Sequence, residues 1–178
     1  KEVKVSKRSG KSITLADLLD EISVDAARFG FNAKPTNHLV FDLDLAVRQD
    51  SENPVYYVQY AHARICTLVA RLAEEGWTVP PASEVDVTLM TAPEELALMK
   101  SLSLLPEEIR LSARDYDPSR INRYLVALAG DFHRFYTACR IKGEAPDVLA
   151  ARLKLADSVR SVIANCLGLL GISAPEKM

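Results

Sequence analysis

An all-α protein is predicted, a bundle of long helices preceded by a short helical connector and a loop, and three features of the sequence predict it. Apolar residues recur at helical spacing from Thr14 onward. Prolines stand where helices should start: Pro54, Pro93, Pro106, Pro118 and Pro146. A missing N–H costs nothing in a first helical turn. Glycines stand where periodic stretches stop: Gly76, Gly143 and Gly171. The chain has 178 residues, enough for one or two domains with a real core. It is 48% hydrophobic and 26% charged, a globular balance.

The elements follow in order. Thr14 with Asp17 reads as an N-cap and an acid at the third helical position, and Leu15, Leu18, Leu19 and Ile22 follow at helical spacing. Ser23 can cap a second helix with Val24, Ala27 and Phe31 turned inward. Pro35 and Asn37 mark a loop. "HLVFDLDL" then alternates as a short strand would, before Leu43 to Arg48 turns helical. From Pro54 to Gly76 runs the strongest helix, its core stripe formed by Val58, Ala61, Ile65, Leu68, Val69 and Leu72. "PPASEVDVTL" is a linker. Helices are expected over Pro93 to Leu104, Pro106 to about Tyr116, Pro118 to Lys142 and Pro146 to Leu170. The chain ends in "ISAPEKM", and it contains no repeat and no low-complexity segment.

Composition narrows the function. Net charge is −2, so a nucleic-acid role must use local patches rather than the whole surface. No run approaches the about 18 apolar residues of a membrane span, and no secretory or lipidation signal is present. Cys66, Cys139 and Cys166 are far apart among apolar neighbours, which reads as reduced core thiols in a cytosolic protein. His38, His62 and His133 are scattered, and no Ser or Cys has a His-and-acid framework. The acids of "FDLDL", at i and i+2, diverge on a helix, so a solvated helix start explains them better than a metal site.

Three stretches can carry chemistry. Lys1 to Lys11 holds five basic residues against one acid. In it, "SKRSGK" sets Lys7, Arg8 and Lys11 beside backbone N–H groups freed by Gly10, which suits polyphosphate. The Walker spacing is absent, and a solvated basic terminus is the plain alternative. On the long helix Tyr57, Tyr60 and Arg64 share one face at i, i+3 and i+7, and Arg71 continues it. Rings beside guanidinium groups can stack on unpaired bases and hold phosphates. The alternative is tyrosines at the core edge with snorkelling arginines. Finally, "RINRYLVALAGDFHRFYTACRIKG" alternates basic residues with aromatics, of which Phe132 and Phe135, with Cys139, fall at core spacing. His133 belongs at a surface or helix-packing edge.

"KVSKRSG" (Lys4 to Gly10), "NPVYYVQYAHARI" (Asn53 to Ile65), "FHRFYTACRI" and the terminal "LGISAPEKM" together resemble arginyl-tRNA synthetase, a class I aminoacyl-tRNA synthetase. The first is similar to the class I K-M-S-K-S loop; the others are similar to the start and end of a DALR-type anticodon-binding domain. The resemblance covers essentially the whole chain. It implies the C-terminal part of an enzyme that activates arginine with ATP and Mg2+ and transfers it to tRNA(Arg). Residues 1–50 would end the catalytic region and residues 51–178 would form the anticodon-binding domain. Lys4, Ser6, Lys7 and Arg8 would belong to the ATP-binding loop, with Lys7 the catalytic lysine that stabilises the leaving pyrophosphate. Val5 replaces the motif's Met and Arg8 its final Ser. Tyr57, Gln59, Tyr60, Arg64 and Met178 would face the anticodon, with Asn53 and Pro54 a hinge into that domain. Where Gly30 stands, the family often has a bulkier residue. The resemblance further implies a cytoplasmic monomer without membrane contact, inactive as a fragment and holding no cofactor alone. A stand-alone helical module binding RNA or protein is the competing reading. It leaves the in-register match of the first loop and the C-terminus without an explanation.

Overall fold

A computed structural model describes residues 14–34 and 41–178. All regular structure among the described residues is helical. Helix α1 (Leu15–Glu21) starts on the pair read from the sequence. Thr14 Oγ1 accepts the Asp17 N–H at 3.2 Å, and Asp17 Oδ2 accepts the Thr14 N–H at 2.7 Å. Two donors without helical partners are thereby satisfied. Ser23 caps α2 (Val24–Ala33), its Oγ accepting the Ala26 N–H at 3.1 Å.

α2 is rotated from the expected setting. It buries Ala26, Ala27 and Phe29, while Val24 and Phe31 are exposed. Packing decides the rotation. Ala26 and Phe29 join the main core, and buried Asn122 donates its amide to the Phe29 carbonyl at 2.9 Å. Phe31 meets Phe41 instead, ring centroids 5.7 Å apart. Phe41 also lies against Gly30, where an added Cβ would meet the ring at 2.6 Å. Gly30 is thus a point of close approach, taken at a helix-propensity cost of about 1 kcal/mol.

The described part of the expected short strand, Phe41 and Asp42, is not strand. Of "HLVFDLDL", residues 38–40 lie outside the described residues, and Leu43–Ala46 is helix α3. Asp42 starts it by accepting the Leu45 N–H at 3.1 Å. No strand among the described residues could pair with it, and an unpaired strand leaves its backbone unsatisfied. Asn53 then stitches α3 to α4 (Pro54–Glu74). It is buried, its amide donates to the Ala46 and Arg48 carbonyls at 3.2 and 2.8 Å, and its oxygen accepts the Val55 N–H at 3.3 Å.

The stripe on α4 is the core face: Val58, Ala61, Ile65 and Leu72 are buried, and Leu68 and Val69 pack partly buried against them. Gly76 ends α4 at φ 87°. Its N–H reaches the Ala73 carbonyl at 3.0 Å and the Trp77 N–H reaches Leu72 at 2.9 Å, the paired bonds of a Schellman cap. The linker coils into two short 3-10 turns, Ala82–Glu84 and Val87–Leu89.

Helices α5 (Pro93–Ser103), α6 (Leu105–Asp115), α7 (Ser119–Ala138) and α8 (Pro146–Leu169) complete the bundle. α7 is central and touches α2, α4, α5, α6 and α8. It stops short of the expected Lys142, because Cys139 adopts extended backbone and both Cys139 and Ile141 turn into the core. Arg152 holds this bend. Its guanidinium donates to the Arg140 carbonyl at 2.6 Å and pairs with Glu95 at 2.6 Å. Glu95, 1% exposed, also accepts the Ala92 N–H at 2.8 Å and so caps α5. α8 ends at Gly171, φ 68°, with a second Schellman cap. Cys139 and Cys166 are buried and Cys66 half-buried, all free thiols; burial pushes Cys166 up to about 11.

Candidate nucleic-acid interface

α4 and α7 lie side by side and run the same way. Tyr57 meets His133, Arg64 meets Tyr136, and Glu75 pairs with Lys142, so the register advances together on both helices. A row of rings forms on their outer surface. Tyr56 and Tyr60, one turn apart, stack with planes 5° from parallel and centroids 6.2 Å apart. His133 sits between Tyr57, at 4.8 Å, and Tyr60, at 5.9 Å. The Arg64 guanidinium lies over Tyr136 at 4.4 Å and over Tyr60 at 5.6 Å. That contact restrains a long, flexible side chain. Among the described residues, no carboxylate pairs with Arg64.

Burial pulls the His133 pKa below the ordinary 6.5, and the nearby Arg64 charge adds to it; a hydrogen bond to the Tyr57 backbone opposes them. His133 is therefore neutral at pH 7 and serves as a ring. Its Nε2 is buried with no partner among the described residues. A groove of about 410 Å³ opens beside it, lined by Tyr57, Glu94, Gly130, His133, Arg134 and Thr137. The exposed Tyr60 ring with its half-buried neighbours, a cation held against the rings and an open groove offer unpaired bases a stacking surface and phosphates a charge.

Of the residues expected at this site, Tyr60 and Arg64 stand together on the outer face of α4, and Tyr57 borders them half-buried. Gln59 is set apart. It is buried, and its amide donates to Asp25 Oδ2 at 2.8 Å and to the Ser173 carbonyl at 3.0 Å. Met178 is exposed at the end of the terminal segment. Lys4, Ser6, Lys7 and Arg8 lie outside the described residues. Sequence reasoning missed three members. Tyr56 was readable as one helical turn before Tyr60. Tyr136 and His133 gave only the mixed signal of aromatics on a helix with a core face. Among the described residues, no cluster of His, Cys, Asp or Glu could hold a metal ion, and no helix is long and apolar enough to cross a membrane.

With this surface defined, comparison with known proteins decides the family. The model of the DALR anticodon binding domain matches residues 58–178. The chain belongs to the DALR anticodon-binding domain family. This DALR chain is 55% identical over 176 residues to the arginine–tRNA ligase of Acetivibrio thermocellus, a match that covers 98% of the chain and 31% of the relative. It is similar to a solved chain described as an arginyl-tRNA synthetase from Campylobacter jejuni, at 32% identity and a TM-score of 0.84 over 97% of this chain and 37% of that one. The Thermus thermophilus arginyl-tRNA synthetase gives 28% identity and a TM-score of 0.75 over 89% of this chain and 27% of that one. The DALR chain thus spans about a third of the length of these relatives. The matched region contains α4 from Val58 onward, α7 and the terminal segment, and so most of the ring platform.

Proposed function

We propose that this chain is the C-terminal part of an arginine–tRNA ligase and that it docks the anticodon stem-loop of tRNA(Arg) on the α4–α7 platform. The observation that carries the reading is Arg64, fixed between the Tyr60 and Tyr136 rings on an open face with no acid paired to it. Anticodon bases are unpaired and can be splayed onto aromatic rings, while a guanidinium held flat can stack or take a phosphate. Tyr57, Tyr60, Arg64 and Met178 are the contact residues of this reading, joined by Tyr56, His133 and Tyr136. Gln59 is spent on Asp25 and Ser173 and stands outside this contact set.

Residues 51–178 form the anticodon-binding part, and residues 1–50 end the catalytic region, with Lys4, Ser6, Lys7 and Arg8 in its ATP loop. ATP with Mg2+ and arginine would bind in the rest of the ligase, a cytoplasmic monomer. ATP supplies the phosphoanhydride that activates arginine, and Lys7 would offset charge on the departing pyrophosphate. Two substitutions in the complete ligase separate these roles. Lys7→Ala should slow adenylate formation, followed by pyrophosphate exchange, with little change in tRNA affinity. Tyr60→Ala should do the reverse, weakening tRNA binding with exchange intact. Normal exchange in the Lys7 variant removes the loop from catalysis, and unchanged affinity in the Tyr60 variant removes the platform from RNA binding.

A further inference from the structure

Tyr57, Tyr60 and Arg64 carry the platform, and Arg71 continues their line past it. At about 100° per residue, Arg71 falls between Tyr60 and Arg64 around the axis of α4. It lies two turns beyond Arg64, about 10 Å along the helix. It is therefore on the outer face, in line with the rings and farther along the seam with α7. Arg71 is exposed, and among the described residues no carboxylate pairs with it.

The charges around it are unevenly placed. Glu75, one turn on, is taken by Lys142. Glu74 is exposed about 100° round the helix from Glu75, on the flank away from α7. Arg140 is exposed where the chain leaves α7, because Cys139 and Ile141 on either side of it are buried. Four cations, Arg64, Arg71, Arg140 and Lys142, thus stand with two acids, Glu74 and Glu75, in a chain whose net charge is −2. At the opposite end of the platform the balance reverses: Arg134 pairs with Asp131, and Glu94 lines the groove.

A base stacked on Tyr60 brings phosphates with it, and the strand passes over the surface beside the rings. An unneutralised guanidinium in line with those rings suits such a phosphate. A phosphate contact adds affinity and carries no sequence information. The competing role is local: Arg71 is in the last turn of α4, where a cation offsets the partial negative charge of the helix end.

We propose that Arg71 is a phosphate-binding residue: it holds the RNA backbone next to the bases stacked on Tyr60 and Arg64, and so sets how tightly RNA binds without setting which sequence binds. This rests on the ligase reading above.

The test uses the complete ligase and its cognate tRNA, with the dissociation constant measured from low to high salt. Each phosphate contact contributes about 0.7–0.9 to the slope of log affinity on log salt. Arg71→Gln should reduce the slope by about that much and weaken binding about four- to sixfold at about 0.15 M salt. The loss should be equal for a transcript with a substituted anticodon, so discrimination is kept. Arg71→Lys keeps the charge and should keep the slope. Arg110→Gln, on α6, removes a guanidinium that Glu107 already holds and should leave the slope unchanged. Unchanged affinity and slope in Arg71→Gln would overturn the proposal, and a lowered melting temperature beside them would assign Arg71 to the helix end alone. Lost discrimination in Arg71→Gln would also overturn it, by making Arg71 a reader of bases. So would an equal fall in slope with Arg110→Gln, which would show a general field in place of a contact. Tyr60→Ala measured alongside should do the reverse, losing discrimination while the slope stays. If Tyr60→Ala is silent and Arg71→Gln behaves as expected, the platform is wrong and the phosphate contact stands. If Tyr60→Ala weakens binding and Arg71→Gln is silent, only the phosphate contact is wrong.

Discussion

At the scale of single residues, the site is a matter of which polar groups are spent and which are free. Gln59 and Tyr60 are neighbours in sequence, yet one is consumed by Asp25 and Ser173 while the other faces solvent. Helical spacing separates them by about 100°, so the sequence alone could tell that they differ in direction. It could not tell that the partner of Gln59 lies 114 residues later. His133 is a similar case: a surface or packing edge was legible, and its place between two tyrosines was not. Its titration is a direct check. The unfolded chain binds a proton near pH 6.5, whereas the folded chain resists it to a lower pH. The stability from neutral His133 is complete above pH 6.5 and is lost as pH falls through the lower, folded value. An NMR titration of the His133 ring should give a midpoint below 6.5, and His133→Gln should flatten the stability profile between that midpoint and pH 7. A midpoint at or above 6.5 would contradict the desolvation account.

At the scale of elements, local chemistry was legible and rotation was not. Thr14 with Asp17, Ser23, Pro54, Gly76 and Gly171 all mark helix ends as the sequence predicts, because a helix end depends on residues a few positions apart. α2 turns inward a different arc from the one its pattern predicts, because both of its arcs carry apolar residues. Packing against α7 chose Ala26 and Phe29 over Val24 and Phe31. The end of α7 moved for a comparable reason: leaving the helix at an extended Cys139 buries Cys139 and Ile141, which outweighed another helical turn. Gly30 offers a test at this scale. Gly30→Ala gains helix propensity of about 1 kcal/mol but drives its Cβ into Phe41 at 2.6 Å. In the native chain it should lower the melting temperature. In a Phe41→Ala background, where the ring is gone, the same change should raise it. Equal effects in both backgrounds would show that the two residues do not meet.

At the scale of the whole molecule, one cluster joins α2, α4, α5, α7, α8 and the terminal segment, so the connector and the platform helices share a core. The all-α class and the bundle were legible, because helical periodicity and proline starts repeat along the chain. The assembled platform was only half legible. The α4 part lies on one helix face, but the α7 part exists only once two distant helices align in parallel. Binding of tRNA(Arg) by the complete ligase tests the central claim most directly, with Tyr60→Ala and Arg64→Ala measured against the native enzyme. Loss of one stacked base is worth about 1–3 kcal/mol. Each variant should therefore bind the cognate tRNA about five- to 150-fold more weakly, and each should discriminate less against a transcript with a substituted anticodon. Native affinity and native discrimination in both variants would contradict the account.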